Sequence, residues 1–350
     1  MAISFPSLDA FLQHGFDCLI DVRSPAEYAE DHVPGAINLP VLSNEERAEV
    51  GTIYKQISPF DARKIGGALV AQNTARHLRD SLSHHDGSWR PLVYCWRGGQ
   101  RSGFFGSFLR EVGWRAETVE GGYRSFRRLV HDLLYGETLP HRIVLLDGNT
   151  GTAKTEILKK LRDMGEQVLD LEGLAVHRGS LLGGMSDPQP AQKGFETALA
   201  ARIAALDPAR PVLVEAESSK IGRINLPPAL WSAMIAAPRI EVSAPMTARA
   251  AHLAQDYAEQ LDDTEGFIEK LQPLRQFRSH AAVDRWATLL RGGDRIGLVT
   301  ALMEEHYDPT YAKSRAEKAP EVMATLRSGT LDQAGQMALC AQIQSLLKGM

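Results

Sequence analysis

A cysteine sits where a short apolar run hands over to a helix. Pro91-Leu92-Val93-Tyr94 is followed by Cys95-Trp96-Arg97-Gly98-Gly99-Gln100-Arg101-Ser102 and then by Phe104-Phe105-Gly106-Ser107-Phe108-Leu109. A brief, bounded apolar run reads as a buried strand, and the stretch after Ser102 reads as the opening of a helix. Successive amide N–H groups in such a loop can point inward and form an anion-binding nest. The helix N-terminus adds partial positive charge, and Arg97 and Arg101 add two full charges. All of these favour the thiolate, which is the nucleophilic form of cysteine. Cys95 is therefore a candidate catalytic residue with Arg97 and Arg101 as its cations. An inert cysteine buried after a strand is the competing reading, and Gly-Gly with two arginines in one loop argues against it.

The rest of the first half repeats the alternation. Residues 16–22 read as a strand running into Ser24-Pro25, an N-cap followed by a first helical residue. His32-Val33-Pro34-Gly35-Ala36-Ile37-Asn38 turns into a second short strand. Helices are expected over 44–50, 66–82, 100–112 and 123–134, and a strand over 116–119. Strands alternating with helices predict a small parallel α/β sheet. Reactive groups in such sheets lie at the carboxyl ends of strands, as Cys95 does. Arg124, Arg127, Arg128 and His131 fall on one face of the 123–134 helix. That face suits nucleic-acid phosphates, and equally a solvated charged surface.

A break in periodicity over 136–141 sets a domain boundary, giving domains 1–138 and 139–350. Beyond it, an apolar strand over 142–147 runs into Gly148-Asn149-Thr150-Gly151-Thr152-Ala153-Lys154-Thr155 and a helix over 156–164. This matches the phosphate-binding P-loop at every position but Ala153, where glycine is expected. Gly148, Gly151, Lys154 and Thr155 are the candidate phosphate-binding residues, with the Thr155 hydroxyl placed for a metal. The next strand leaves through a loop carrying His177 and Arg178. A helix is expected over 193–206. An apolar strand from 211 ends in Glu215 and Glu217, which alternate and so are expected to share a face. Glu215 would then deliver a carboxylate to the metal. After a strand at 239–242 the chain reads as helical over 247–261, 267–278, 283–290 and 295–306. Tyr307-Asp308-Pro309-Thr310-Tyr311 reads as a break, and 331–347 as a terminal helix.

Charge and cysteine usage narrow the class. A chain of 350 residues with formal net charge −4 has no global nucleic-acid signature, so an RNA partner needs a local basic face. Its three cysteines, Cys18, Cys95 and Cys340, are odd in number and widely spaced. They give neither a disulfide framework nor a zinc site, and fit a reducing, cytoplasmic setting. The start of the sequence lacks a secretory pattern, and no apolar run approaches membrane-spanning length. No pattern encodes an oligomeric state.

Asp21-Val22-Arg23, Glu27-Tyr28, His32-Val33-Pro34-Gly35-Ala36 and the Cys95 loop together resemble a rhodanese domain, in which Asp21 and Arg23 are scaffold. Arg101 lies one position farther from the cysteine than in sulfur-transferring rhodaneses. The loop thus resembles that of rhodanese-like phosphatases and suits a phosphate-bearing donor such as selenophosphate. A rhodanese domain fused to a P-loop NTPase-like α/β domain with a helical extension resembles the tRNA 2-selenouridine synthase family. Gly121-Gly122-Tyr123, residues 170–175, His177-Arg178-Gly179-Ser180, Gln189-Pro190 and Glu215 with Glu217-Ser218 also carry the resemblance. Ala153 and Ser219-Lys220 depart from it.

The resemblance implies a transferase acting on tRNA that carries wobble 2-thiouridine, replacing its sulfur with selenium from selenophosphate. It further implies an S-geranyl intermediate made from geranyl diphosphate, whose diphosphate the P-loop would hold, with Mg2+. Arg124, Arg127 and Arg128 would bind the tRNA, and Glu215, Glu217, His177 and Arg178 would support the second site. Cys95 would either carry selenium or activate selenophosphate. Two other readings stay open: a Cys-dependent sulfurtransferase or phosphatase fused to a nucleotide-driven kinase-like domain, and a non-catalytic RNA-binding module.

Overall fold

The computed structural model describes residues 1–136, 138–180, 182–185, 187–318 and 321–350, with all their side chains except those of 314–318. The first elements are β1 (Ala2–Ile3), α1 (Leu8–Leu12), β2 (Cys18–Asp21), α2 (Pro25–Glu30), β3 (Ala36–Asn38), α3 (Asn44–Gln56) and α4 (Pro59–Asp80). They are followed by β4 (Pro91–Tyr94), α5 (Gln100–Val112), β5 (Glu117–Val119) and α6 (Tyr123–Tyr135). The strands form one parallel sheet in the order β1-β5-β4-β2-β3. The central β4 is buried at all four residues. Ile20, Val22, Val93, Phe105 and Leu109 join Trp89 and Trp114 in the core on which Cys95 also packs.

The second series starts with β6 (Ile143–Asp147), α7 (Lys154–Asp163), β7 (Val168–Leu169) and α8 (Leu171–Ala175). Next come α9 (Gln192–Ala204), β8 (Val212–Glu215), the antiparallel pair β9 (Lys220–Ile221) and β10 (Ile224–Asn225), α10 (Pro228–Ala236) and β11 (Arg239–Ser243). The helical stretch comprises α11 (Met246–Asp256), α12 (Ala258–Asp262), α13 (Thr264–Leu271), α14 (His280–Arg291), α15 (Arg295–Leu302) and α16 (Asp308–Lys318). β12 (Val322–Arg327) and α17 (Gln333–Leu347) end the chain. The sheet is again parallel, in the order β12-β11-β6-β8-β7. The fold is thus α/β in both halves.

The chain divides into two units, Met1–Gly136 with Pro190–Ala205, and Glu137–Gln189 with Leu206–Met350. The division expected from sequence gave all of 139–350 to one domain; the segment carrying α9 instead packs within the first unit. Its polar residues explain why. Thr197 Oγ1 donates to Asp31 Oδ2 at 2.8 Å, and Lys193 pairs with Glu30 at 2.7 Å. Arg127 and Tyr135 of α6 both bond Glu196.

Three sequence expectations change. The exit from β7 is the short helix α8, capped by Asp170, whose Oδ1 accepts the Gly173 amide at 2.7 Å. Residues 307–311 do not break the helical path. A π-helical turn over Met303–Tyr307 leads directly into α16. Pro309 has no N–H for the Glu305 carbonyl, and Arg278 Nε supplies a donor to that oxygen at 2.6 Å. The edge strand β12, unassigned from sequence, runs parallel to β11. Residue 137, within the expected boundary, lies outside the described residues.

Candidate functional site

Cys95 follows β4 directly and is 4% exposed. Ser102 Oγ donates to its sulfur at 3.2 Å. The loop shape depends on a second glycine turn behind it. A Cβ on Gly122, at φ +60°, would lie 2.2 Å from the Cys95 carbonyl oxygen and 2.4 Å from the Gly98 nitrogen. That closeness lets the start of α6 donate to the loop, Tyr123 N to Cys95 O at 2.8 Å and Arg124 N to Trp96 O at 3.1 Å. The cysteine loop and the N-terminus of α6 are therefore one hydrogen-bonded piece. Asp21 and Arg23 take the scaffold role expected of them. Both are buried, and Arg23 Nε and Nη2 donate to the Asp21 carboxylate at 2.7–3.1 Å.

The two loop arginines differ. Arg97 is exposed. Arg101, expected as a free cation for an oxyanion, is instead held by Glu27 of α2, with Nη1–Oε2 at 2.7 Å and Nη2–Oε1 at 3.2 Å. Burial alone would raise the Glu27 carboxyl. The Arg101 bonds and charge, the Ser24 amide and the Arg47 charge outweigh it and hold the group below its ordinary range. Arg101 thus reaches the loop as half of an ion pair.

On α6, Arg124 and Arg128 are exposed, whereas Arg127 is committed to Glu196 and Thr197. The expected three-arginine face therefore contains two available cations and one structural one. All three line a cleft of about 330 Å³ with Trp96, Tyr123, His131 and Lys193.

In the second unit, β6 leads into the glycine loop and α7 as the sequence predicted. Ala153 adopts φ 58°, ψ 28°, the left-handed conformation that the usual glycine would take without strain. Ala153 is buried and belongs to the same apolar core as Val144, Ile157 and Leu158, and that burial offsets part of the cost. Lys154 Nζ donates to the Gly148 carbonyl at 2.8 Å. The sequence reading missed Arg249 of α11. This residue is 5% exposed, donates through Nε to Thr150 O at 2.9 Å, and makes two bonds to Asp308 at 2.9 and 2.6 Å. A Cβ on Gly151, at φ +82°, would lie 2.9 Å from the Arg249 carbonyl oxygen. The helical cover thus fixes the loop directly.

The acids are arranged differently from the expectation. β8 ends at Glu215, and the next bond is Glu217 N to Glu215 O at 2.8 Å, a tight turn. Strand alternation therefore does not place Glu217. Glu215 is buried beneath α8, accepting the Leu171 amide at 3.1 Å through Oε2, while Oε1 has no hydrogen-bond partner among the described residues. Burial, then the charges of Asp170 and Glu172, push it well above the ordinary carboxyl range. The acid that meets the P-loop is Glu172, whose Oε2 accepts Thr155 Oγ1 at 2.9 Å. Burial and the neighbouring Glu217 push Glu172 up to about 8, against the pull of Lys154 and Thr155. Glu172 and Glu217 converge, since a Cβ on Gly179 would lie 2.7 Å from one Oε1 and 2.5 Å from the other. Glu172 was hidden because α8 is five residues long and reads as loop.

His177 is half-buried, its Nδ1 has no hydrogen-bond partner among the described residues, and burial lowers its pKa. Arg178 turns to Asp256, donating at 2.9 and 3.2 Å, and lies over the Tyr257 ring. It does not stand free beside the P-loop.

Among the described residues no three His, Cys, Asp or Glu side chains form a metal-holding group. A hydroxyl and one or two carboxylates at a phosphate loop nevertheless suit Mg2+, which keeps waters and phosphate oxygens in its shell. Thr155 with Glu172 fits that pattern. Glu215, packed under α8, fits it less well.

Among the described residues no helix is long and apolar enough to cross a membrane. Residues 6–129 match the family described as "Rhodanese-like domain", and residues 141–291 match "tRNA 2-selenouridine synthase AAA domain". Curated proteins named tRNA 2-selenouridine synthase are similar over much of the chain. The one from Nitrosomonas europaea is 37% identical over 68% of this chain, which spans 63% of that protein's length. The Cupriavidus pinatubonensis protein is 34% identical over 86% of this chain and 82% of its own, and the Hahella chejuensis protein 33% over 87% of each. With both domains matched in order, the chain belongs to the tRNA 2-selenouridine synthase family.

Proposed function

We propose that the protein modifies the wobble uridine of tRNA, converting 2-thiouridine to 2-selenouridine with selenophosphate through an S-geranyl intermediate made from geranyl diphosphate. The carrying observation is that one chain holds both a cysteine on a glycine loop between strand and helix, with Ser102 Oγ donating to its sulfur at 3.2 Å, and a P-loop-like turn whose hydroxyl meets a carboxylate, Thr155 to Glu172 at 2.9 Å.

The chemistry divides between the two sites. In the second unit the amides after Gly148 and the Lys154 ammonium bind the diphosphate of geranyl diphosphate. The thiocarbonyl sulfur attacks the prenyl C1, the C–O bond breaks, and diphosphate leaves into that cradle. Thr155 and Glu172 would hold a Mg2+ ion, which supplies charge to the departing diphosphate. Alkylation turns a poor leaving group into a good one: the selenium of selenophosphate attacks C2 of the base, the C2–S bond breaks to release geranylthiol, and water then cleaves the Se–P bond, releasing phosphate and leaving 2-selenouridine. The Cys95 loop handles selenophosphate, with Arg97 as its available cation. Arg124 and Arg128 bind tRNA phosphates.

Mass spectrometry of nucleosides tests this reading directly. Thiolated tRNA incubated with geranyl diphosphate and selenophosphate should yield 2-selenouridine. Lys154→Ala should stop geranylation, and Cys95→Ala should leave S-geranyl-2-thiouridine to accumulate. Unchanged 2-thiouridine with the intact protein, or brisk ATP hydrolysis without tRNA, would favour the sulfurtransferase–kinase alternative.

A further inference from the structure

We propose that the cleft beside the cysteine loop seats one unpaired nucleotide of the RNA, its base against the Trp96 indole and its flanking phosphates on Arg124 and Arg128. This rests on the RNA-modifying reading above and adds which part of the RNA enters and what holds it.

The cleft, about 330 Å³, lies in the size range of sites that take a small molecule. Its lining combines two chemistries. Arg127 is neutralised by Glu196 and Lys193 by Glu30. Arg124 and Arg128 are thereby left as the cleft's unneutralised guanidinium groups among the described residues. An anion pocket for free phosphate needs only those cations. Here an indole also lines the space, and cations beside an aromatic face are the pattern by which single-stranded RNA is held.

The indole is braced. Its ring centroid lies 5.2 Å from that of Tyr123, which in turn covers the Arg23 guanidinium at 4.0 Å. The Tyr123 hydroxyl donates to buried Asp31 at 2.6 Å, so the brace is fixed at its far end. A rigid aromatic loses little freedom when a base stacks on it. Placement completes the argument. Trp96 is the residue after Cys95, and the amides of Tyr123 and Arg124 bond the carbonyls of Cys95 and Trp96 at 2.8 and 3.1 Å. The platform and the thiol share one rigid support, so a base held there stays beside the cysteine loop. Double-stranded RNA presents no free base face, so the occupant is an unpaired nucleotide.

The test uses the full chain and a fluorescein-labelled hairpin RNA with 2-thiouridine unpaired in its loop, compared with the same RNA abasic at that position. The intact RNA should bind on the order of 5- to 150-fold tighter, the range for one stacked base. Trp96→Ala should lose the same factor on intact RNA and cease to distinguish the two RNAs, while Trp96→Phe should keep most of the distinction. Arg124→Ala and Arg128→Ala should each lower the slope of log affinity against log salt by about 0.7 without altering the abasic factor. Equal affinity for both RNAs, or undiminished discrimination by Trp96→Ala, overturns the proposal. So does displacement by inorganic phosphate or a phosphopeptide as effective as displacement by unlabelled intact RNA. If neither RNA binds, the RNA-modifying reading falls with it; if both bind without dependence on the base or Trp96, only the nucleotide seat falls.

Discussion

Arg101 and Glu27 close a two-point ion pair across 74 residues of sequence, at 2.7 and 3.2 Å. The pair ties the first turn of α5, just past the cysteine loop, to α2. Arg101→Ala should cost about 1.5–3 kcal/mol in urea unfolding of the first unit, the scale of hydrogen bonds to charged groups. A double-mutant cycle with Glu27→Gln should show the two losses to be strongly non-additive. The pH profile has a definite sign. Glu27 is held below its ordinary range, so its contribution is present above about pH 4.5 and is lost as pH falls through its folded value. Arg101→Ala should remove that acid-side loss. Additive single-mutant effects with an unchanged acid limb would count against the pairing as a structural tie.

Two glycines, one in the cysteine loop and one in the turn behind it, should behave differently. A Cβ on Gly99 meets nothing within 4 Å, whereas one on Gly122 would lie 2.2 Å from the Cys95 carbonyl oxygen. Gly122 also sits at φ 60°, ψ −146°, which side chains strongly disfavour. Gly99→Ala meets no neighbour, but Gly99 is the α5 N-cap at φ −102°, ψ −135°, so it should lose less stability than Gly122→Ala and leave the rate of Cys95 alkylation by iodoacetamide unchanged. Gly122→Ala should lower the melting temperature by several degrees and change that rate, because the back of the cysteine loop must move. Equal behaviour of the two variants would show that the loops do not depend on their close approach.

What could be read from sequence were the features written in consecutive residues. Helix α5 begins and ends where expected, and strands β2, β4, β6 and β8 follow from their apolar runs. Cys95 and Lys154 were legible because each lies in a strand–loop–helix unit. Partners distant in sequence were not. Glu27 and Glu196 carry no local sign that they will take Arg101 and Arg127. Arg249 looks like any helical arginine until Asp308 and Thr150 close on it. Glu217 was misplaced because alternation was extended past the end of β8. Pro309 read as a helix breaker because its compensating donor, Arg278, lies in another element.

Ala153 offers a near-neutral substitution with a telling counterpart. The left-handed conformation costs an L-residue about 1–2 kcal/mol, and glycine would relieve it. Removing the buried methyl gives back about 0.8 kcal/mol, and glycine adds freedom to the unfolded chain. Ala153→Gly should therefore lie within about 1 kcal/mol of the parent. It should also leave geranyl diphosphate affinity, measured by calorimetry, unchanged within a factor of a few. Ala153→Val puts a β-branched side chain where φ is positive and should lose stability and binding together. If Val were tolerated as well as Gly, the loop would not hold the left-handed geometry at this position.

The Glu172–Glu217 pair sets a pH dependence on the second unit. Burial and the neighbouring Glu217 push Glu172 up to about 8 from an ordinary value near 4.5. Between those two pH values the unfolded chain has released this proton while the folded one keeps it. The folded state then binds more protons, and its stability must fall as pH rises through the window, levelling off above about 8. Melting temperature recorded across the window should decline with pH in the intact chain. Glu172→Gln cannot titrate and should flatten the decline. Glu217→Gln removes the like charge and should move its end toward lower pH, since Lys154 and Thr155 still favour the ionised form. A melting temperature that rises with pH, or a decline that survives Glu172→Gln, would place the buried proton elsewhere. The neighbouring Glu215, also raised, provides the specific alternative, which Glu215→Gln separates from Glu172→Gln.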